Sequence, residues 1–147
     1  MFLIKTIKAT AIVLLTTGTI AATPALANGN RIFIDQWGTN NAIGGGQSGV
    51  GQRLTVIQQG RGNTSINTQD GRHNRAAVSQ SGRHNNVDTH QCGAGNRVGV
   101  AQAGRGHSAD IDQCGRRNVA AVVQVGRGAS ASVNQTGSGN VVAIVQE

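Results

Sequence analysis

Two cysteines, four histidines and six carboxylates are the residues of this chain whose chemistry goes beyond packing. Cys92 and Cys114 each stand inside the tripeptide Gln-Cys-Gly, 22 residues apart. His90 precedes the first by two positions, and Asp110 and Asp112 precede the second by four and two. His90 and Asp112 beside the cysteines suit zinc, but the paired spacings of structural zinc sites are missing, so no metal is expected. His73 and His84 hold one turn position in a repeat and read as solvated. No nucleophile, histidine and acid fall into a catalytic set, and every serine after the first 27 residues lies inside a repeat unit. The chain is therefore expected not to be an enzyme and to need no cofactor. Calcium-binding glycine-rich repeats require regularly placed Asp, which is absent.

What places the two Gln-Cys-Gly sites equivalently is a period of eleven. Gln recurs at Gln36, Gln47, Gln58, Gln69, Gln80, Gln91, Gln102, Gln113, Gln124, Gln135 and Gln146 without a miss. Two residues after each of the first ten stands Gly: Gly38, Gly49, Gly60, Gly71, Gly82, Gly93, Gly104, Gly115, Gly126 and Gly137. Six residues before the Gln there is usually Asn, at Asn30, Asn41, Asn63, Asn74, Asn85, Asn96, Asn118 and Asn140; Gln52, His107 and Ala129 take that slot in the other units. Between Asn and Gln, apolar residues alternate with others, as in Ile32/Ile34, Leu54/Val56 and Val98/Val100. That period of two predicts a strand with one face inward, and Asn and Gln share the inward parity. The x-Gly-x-x segment predicts a tight turn.

Units also alternate in kind. Odd ones such as NRVGVAQ are richer in apolar residues and Arg, and even ones such as NTSINTQ are more polar. The structural period is then 22 residues, strand-turn-strand-turn. This predicts an all-β, two-sheet parallel β-solenoid over residues 28–147, with rungs ~4.8 Å apart and roughly 5.5 of them. Stacked amides of Gln and Asn would bond along their columns as in cross-β assemblies. On this frame Cys92 and Cys114 share one position in consecutive rungs, with Cα atoms ~5 Å apart, close enough for a disulfide. A pair of free thiols is the alternative.

The N-terminus, MFLIKTIKATAIVLLTTGTIAATPALA, has Lys5 and Lys8, an apolar run and Ala25-Leu26-Ala27. It reads as a secretory signal peptide over residues 1–27, its apolar run too short for a membrane anchor. Export would leave Cys92 and Cys114 in an oxidising compartment, which favours the disulfide. After cleavage the chain carries 11 arginines against 6 acidic residues, a net charge of +5, and only Phe33 and Trp37 as aromatics. Such a chain cannot build a thick core. Two arginine columns are expected, Arg31, Arg53, Arg75 and Arg97 on the outward side of the odd strands, and Arg61, Arg83, Arg105 and Arg127 at the turn that follows. They suit either an anion-binding stripe for lipopolysaccharide, acidic polysaccharide or extracellular DNA, or gatekeepers that slow assembly until export. Two aromatics make no base-stacking platform, so a specific nucleic-acid reader is not expected.

Neither end carries an evident cap: the first unit begins at Asn30 and the last, NVVAIVQE, is half a rung. Open rungs expose unpaired strand edges, and head-to-tail stacking of such rods yields a fibre. A monomeric solenoid that binds ice or glycans is the rival, but its outward columns mix Arg, Ala, Val, Asp and Ser rather than presenting one regular face.

The rhythm of "NRAAVSQSGRHN" and "NRVGVAQAGRGH" resembles the curlin repeat, and the resemblance covers nearly all of residues 30–147. It implies a subunit of curli, the extracellular amyloid fibres of bacterial biofilms, with inward Gln and Asn ladders. It further implies export through a dedicated outer-membrane secretion pore, polymerisation at the cell surface, and a role in adhesion and matrix formation. The expected partners are further copies of the chain and a second curlin subunit. The family has a major fibre subunit and a minor nucleator, and the repeats suit either. The polar segment that often precedes curlin repeats is nearly absent, with only Asn28-Gly29 in its place.

Overall fold

The computed structural model describes residues 29–147; the expected leader over 1–27 lies outside the described residues. Eleven strands follow in chain order: β1 (Arg31–Thr39), β2 (Ala42–Val50), β3 (Arg53–Arg61), β4 (Thr64–Arg72), β5 (Arg75–Arg83), β6 (Asn86–Ala94), β7 (Arg97–Arg105), β8 (Ser108–Arg116), β9 (Val119–Arg127), β10 (Ser130–Ser138) and β11 (Val141–Gln146). Odd strands form one six-stranded parallel sheet and even strands a five-stranded one. Every pairing is offset by 22 residues, as in Arg31↔Arg53 and Cys92↔Cys114. The chain is a two-sheet parallel β-solenoid, and among the described residues there is no helix.

The corners are tighter than the x-Gly-x-x reading expects. Strands run on through the repeated Gly to the residue after it, so only two residues turn each corner. The first of these takes the left-handed conformation even where it is Asn40, His73, His84 or Arg117, with φ near 56° or 57°. The repeated Gly has another reason to be invariant. It sits at φ of about +100° inside the stack, and a Cβ at Gly60 or Gly82 would overlap the main-chain carbonyl of the glycine one rung on. Stacking, more than turning, excludes a side chain there.

The inward positions form a thin core two side chains deep. Leu54, Val56, Ala76, Val78, Val98, Val100, Ala120 and Val122 face inward from the odd sheet, opposite Val87, Ala109, Ile111, Ala131 and Val133. The even sheet also buries polar groups. Asn67 donates to Ser65 Oγ (2.8 Å), and Thr89 donates to Asn67 Oδ1 (2.8 Å). This internal pairing offsets the cost of burying them. At the outermost strand, inward-facing Ile34 remains 42% exposed, since no rung among the described residues covers it.

Candidate functional site

The features that recur in every rung are the amide columns. Each glutamine points inward just before the corner, and those with a described rung beyond them donate from Nε2 to Oε1 of the glutamine one rung on. One column runs Gln36, Gln58, Gln80, Gln102, Gln124, Gln146, with bonds of 2.7 to 3.1 Å. The other runs Gln47, Gln69, Gln91, Gln113, Gln135, at 2.5 to 3.1 Å. In most rungs the second Nε2 proton crosses to the opposite sheet. Gln58 thus reaches the carbonyl of Ala42 (3.1 Å), and Gln80 that of Thr64 (2.9 Å). Glutamine therefore ties rung to rung and sheet to sheet at once.

Asparagine works differently from the amide ladder expected for it. Asn63 Oδ1 accepts from the main-chain N–H of Asn85 (3.1 Å), while its Nδ2 donates to the carbonyls of Gln59 and Gly82, both at 3.2 Å. Asn41, Asn74, Asn85, Asn96 and Asn118 repeat the pattern. At the end rungs, Asn30 accepts from Gln52 N–H and Asn140 donates to Thr136 O. The column is side chain to main chain, bracing the corner and supplying donors and acceptors to neighbouring backbone.

The substituted slots show how much of this is needed. His107 is buried, and its Nδ1 accepts from Ala129 N–H (3.2 Å) while its Nε2 faces Ala103 O (3.3 Å), which defines the Nε2–H tautomer. It reproduces the asparagine's acceptor and one donor. Gln52 keeps both donations, to Ser48 O (2.5 Å) and Gly71 O (3.1 Å), but its buried Oε1 has no partner among the described residues.

Outside, the two sheets differ. The odd face carries Phe33, Trp37, Ile57, Val123, Val125 and Val145 as exposed apolar groups. Its arginines lie at the two ends of the strands. Arg31, Arg53, Arg75 and Arg97 align at the strand starts, and Arg61, Arg83, Arg105 and Arg127 align eight residues further along the same strands. At ~3.3 Å per residue the columns are roughly 26 Å apart, on opposite edges of the solenoid. Sequence reasoning missed that Arg72, Arg116 and Arg117 reach the first edge from the even strands, where His73, Arg75, Arg97, Arg117 and Val119 line a shallow groove. The signal lay in the 22-residue frame, since Arg72 and Arg116 pair with the rungs flanking Ala94.

The even face is acidic and polar. Asp88, His90 and Cys92 on β6 lie in register with Asp110, Asp112 and Cys114 on β8, forming an outward array of two by three. Burial, aided by the neighbouring Asp110 carboxylate and opposed by His90, raises the pKa of Asp88. A disulfide joins Cys92 and Cys114 across the two strands, with Cα atoms 4.6 Å apart.

A parallel two-sheet solenoid closed by amide columns is the class these features define. The model of the curlin associated repeat matches residues 53–82, 82–115 and 108–137, and the chain belongs to that family. None of the curated proteins matches its sequence at a significant level. Among solved structures it is similar to the crystal structure of the polySia specific acetyltransferase NeuO, at 15% identity over 79% of this chain and 80% of that one. The TM-score of 0.34 is too low for that likeness to bear on fold or function.

Proposed function

We propose that the chain is a structural subunit of extracellular, curli-type amyloid fibres that grow by rung-on-rung stacking and serve cell adhesion and biofilm matrix formation. The observation that carries this reading is an unfilled glutamine slot. In the next two rungs of its column, Gln69 and Gln91 each accept at Oε1 from the glutamine 22 residues earlier; Gln47 Oε1 is buried, with no partner among the described residues. That oxygen has no solvent access in the single chain, so the Gln47 amide must rotate before the terminal glutamine Nε2 of another copy can fill it. Beside that slot β1 and β2 have no strand beyond them among the described residues, and inward Ile34 is 42% exposed. A second copy would pair these edges, cover the core and extend both amide columns in one step.

On this reading residues 1–27 direct export and are removed, and the chain passes an outer-membrane secretion pore before ordering at the surface beside a second curlin subunit. The role is structural and not catalytic. The arginine edges face outward along the fibre, where anionic surface polymers would meet a repeating positive charge rather than one pocket. The test is to incubate the purified chain of residues 28–147 and follow thioflavin fluorescence and fibre diffraction. Fibres with a ~4.8 Å meridional reflection are expected. A stable monomer without that reflection would overturn the reading. Polymerisation without a seed marks a main fibre subunit, and growth only of a partner's fibres marks a nucleator.

A further inference from the structure

Cys92 and Cys114 lie on the even face among other ligand-type side chains. His90 is two residues before Cys92 and Asp112 two residues before Cys114, so all four point outward from neighbouring strands as a two-by-two block. A donor nitrogen of His90 and the sulfurs of Cys92 and Cys114 all lie within 4.8 Å of one another. Asp112 Oδ1 is 3.8 Å from Cys114 Sγ. Cys92, Cys114 and Asp112 are half-buried and His90 is exposed, so the block is open to a metal while its strands are held by the solenoid on both sides.

We propose that in the dithiol state these four side chains form a zinc site, and that forming the disulfide expels the metal. A tetrahedron with Zn–S near 2.3 Å and Zn–N near 2.0 Å needs ligand atoms roughly 3.3 to 3.8 Å apart. Once the sulfur–sulfur bond is broken, two side chains on Cα atoms 4.6 Å apart reach that separation by rotation about χ1 alone. His90 and Asp112, paired in register in the row beside the two cysteines, then supply the remaining two positions. The spacing differs from that of the usual zinc motifs because a parallel sheet brings together residues 22 apart, where those motifs use a loop.

The two states exchange in a balanced step. With a small-molecule disulfide as oxidant, one thiolate attacks a sulfur of that disulfide and the first thiol of the oxidant leaves. The second thiolate then attacks the mixed disulfide, forming Cys92–Cys114 and releasing the second thiol. Two protons are taken up by the departing thiolates, the protein dithiolate is oxidised by two electrons, and Zn²⁺ goes to solution. Metal occupancy would thereby delay the covalent staple between the third and fourth rungs.

The experiment uses the full exported chain, reduced with a phosphine and kept anaerobic, with Co²⁺ as a spectroscopic probe and Zn²⁺ as competitor. The expected result is one Co²⁺ per chain, with a thiolate-to-cobalt charge-transfer band and tetrahedral ligand-field bands that Zn²⁺ abolishes. His90→Ala and Asp112→Asn should each weaken Zn²⁺ binding by roughly tenfold or more, while His73→Ala leaves it unchanged. Far-UV circular dichroism checks that each variant keeps its sheet content. Adding a small-molecule disulfide should release the metal as the thiols disappear. Absence of the charge-transfer band, or an affinity unaffected by both His90→Ala and Asp112→Asn, would overturn the site. One Co²⁺ shared between two chains would overturn it as well.

Discussion

The glutamine column and the asparagine column are built from the same amide, stand at either side of one corner and repeat at the same interval. Glutamine is kept in all eleven units, whereas the asparagine slot also holds Gln52, His107 and Ala129. The hydrogen bonds explain the contrast. Each interior glutamine both donates to and accepts from another glutamine, so any replacement strands partners on two rungs and on the opposite sheet. An asparagine bonds only to main chain, so the slot accepts the imidazole of His107, which offers one acceptor and one donor, and even Ala129, which offers neither. A self-complementary column demands identity; a column that braces backbone tolerates replacement.

The largest effect is expected where no side chain enters either column. Gly82→Ala puts a methyl group into the carbonyl of Gly104, at a φ of 117° that L-residues rarely adopt. The neighbouring rung would have to move away, at a cost on the order of 4 kcal/mol or more. Gly106→Ala is the control, since its φ is +72° but nothing lies within 4 Å of the added Cβ. It should cost only the left-handed penalty, about 1 to 2 kcal/mol. Urea midpoints of the two variants separate the stacking constraint from the turning one, and equal losses would remove the distinction.

Gln102→Leu comes next and tests the self-complementary column directly. It leaves Gln80 without its Oε1 acceptor, Gln124 Oε1 without its donor, and Asn86 O without the bond that crosses the sheets. Buried groups abandoned in this way should cost about 3 to 5 kcal/mol together. Asn96→Ala strands Asn118 N–H and the carbonyls of Cys92 and Gly115. The two carbonyls are only part-buried, so water can replace some of what is lost there, and about 1 to 2 kcal/mol is expected. Should the asparagine variant prove the more damaging in chemical denaturation, the ranking of the two columns is wrong.

Much of this arrangement was legible from residues alone because every unit has the same length. Once Gln36 to Gln146 recur at one interval, strand parity, the offset of 22, the two sheets and the Cys92–Cys114 neighbourhood follow from geometry. Spacing does not say which way an amide points. The main-chain bonding of Asn63 and the cross-sheet bond of Gln58 depend on rotamers that the period leaves open. The corner was misplaced for a related reason: Gly60 resembles a turn residue, but its φ serves the stack, and the turn proper falls on Gly62, where other rungs place His84 or Arg117. The even units read only as more polar, and the bond from Thr89 Oγ1 to Asn67 Oδ1 that satisfies these buried groups likewise depends on rotamers.

The smallest effect carries the opposite sign and probes the tolerance of the asparagine slot. Gln52 makes both donations that asparagine makes, yet its Oε1 stays buried and unpartnered, because one extra methylene carries the carbonyl past the position of Asn63 Oδ1. Gln52→Asn shortens the chain and places Oδ1 where the N–H of Asn74 lies one rung on, as Asn63 does for Asn85. Filling one buried acceptor should add about 1 kcal/mol. It should also raise the urea midpoint without changing its slope, since no extra surface is exposed on unfolding. A variant no more stable than the parent would mean that the two donations, and not the accepted N–H, are what the slot selects for. Ala129, which offers neither, would then mark the weakest corner of the stack, and His107 beneath it would owe its place to the Nε2 side of its ring.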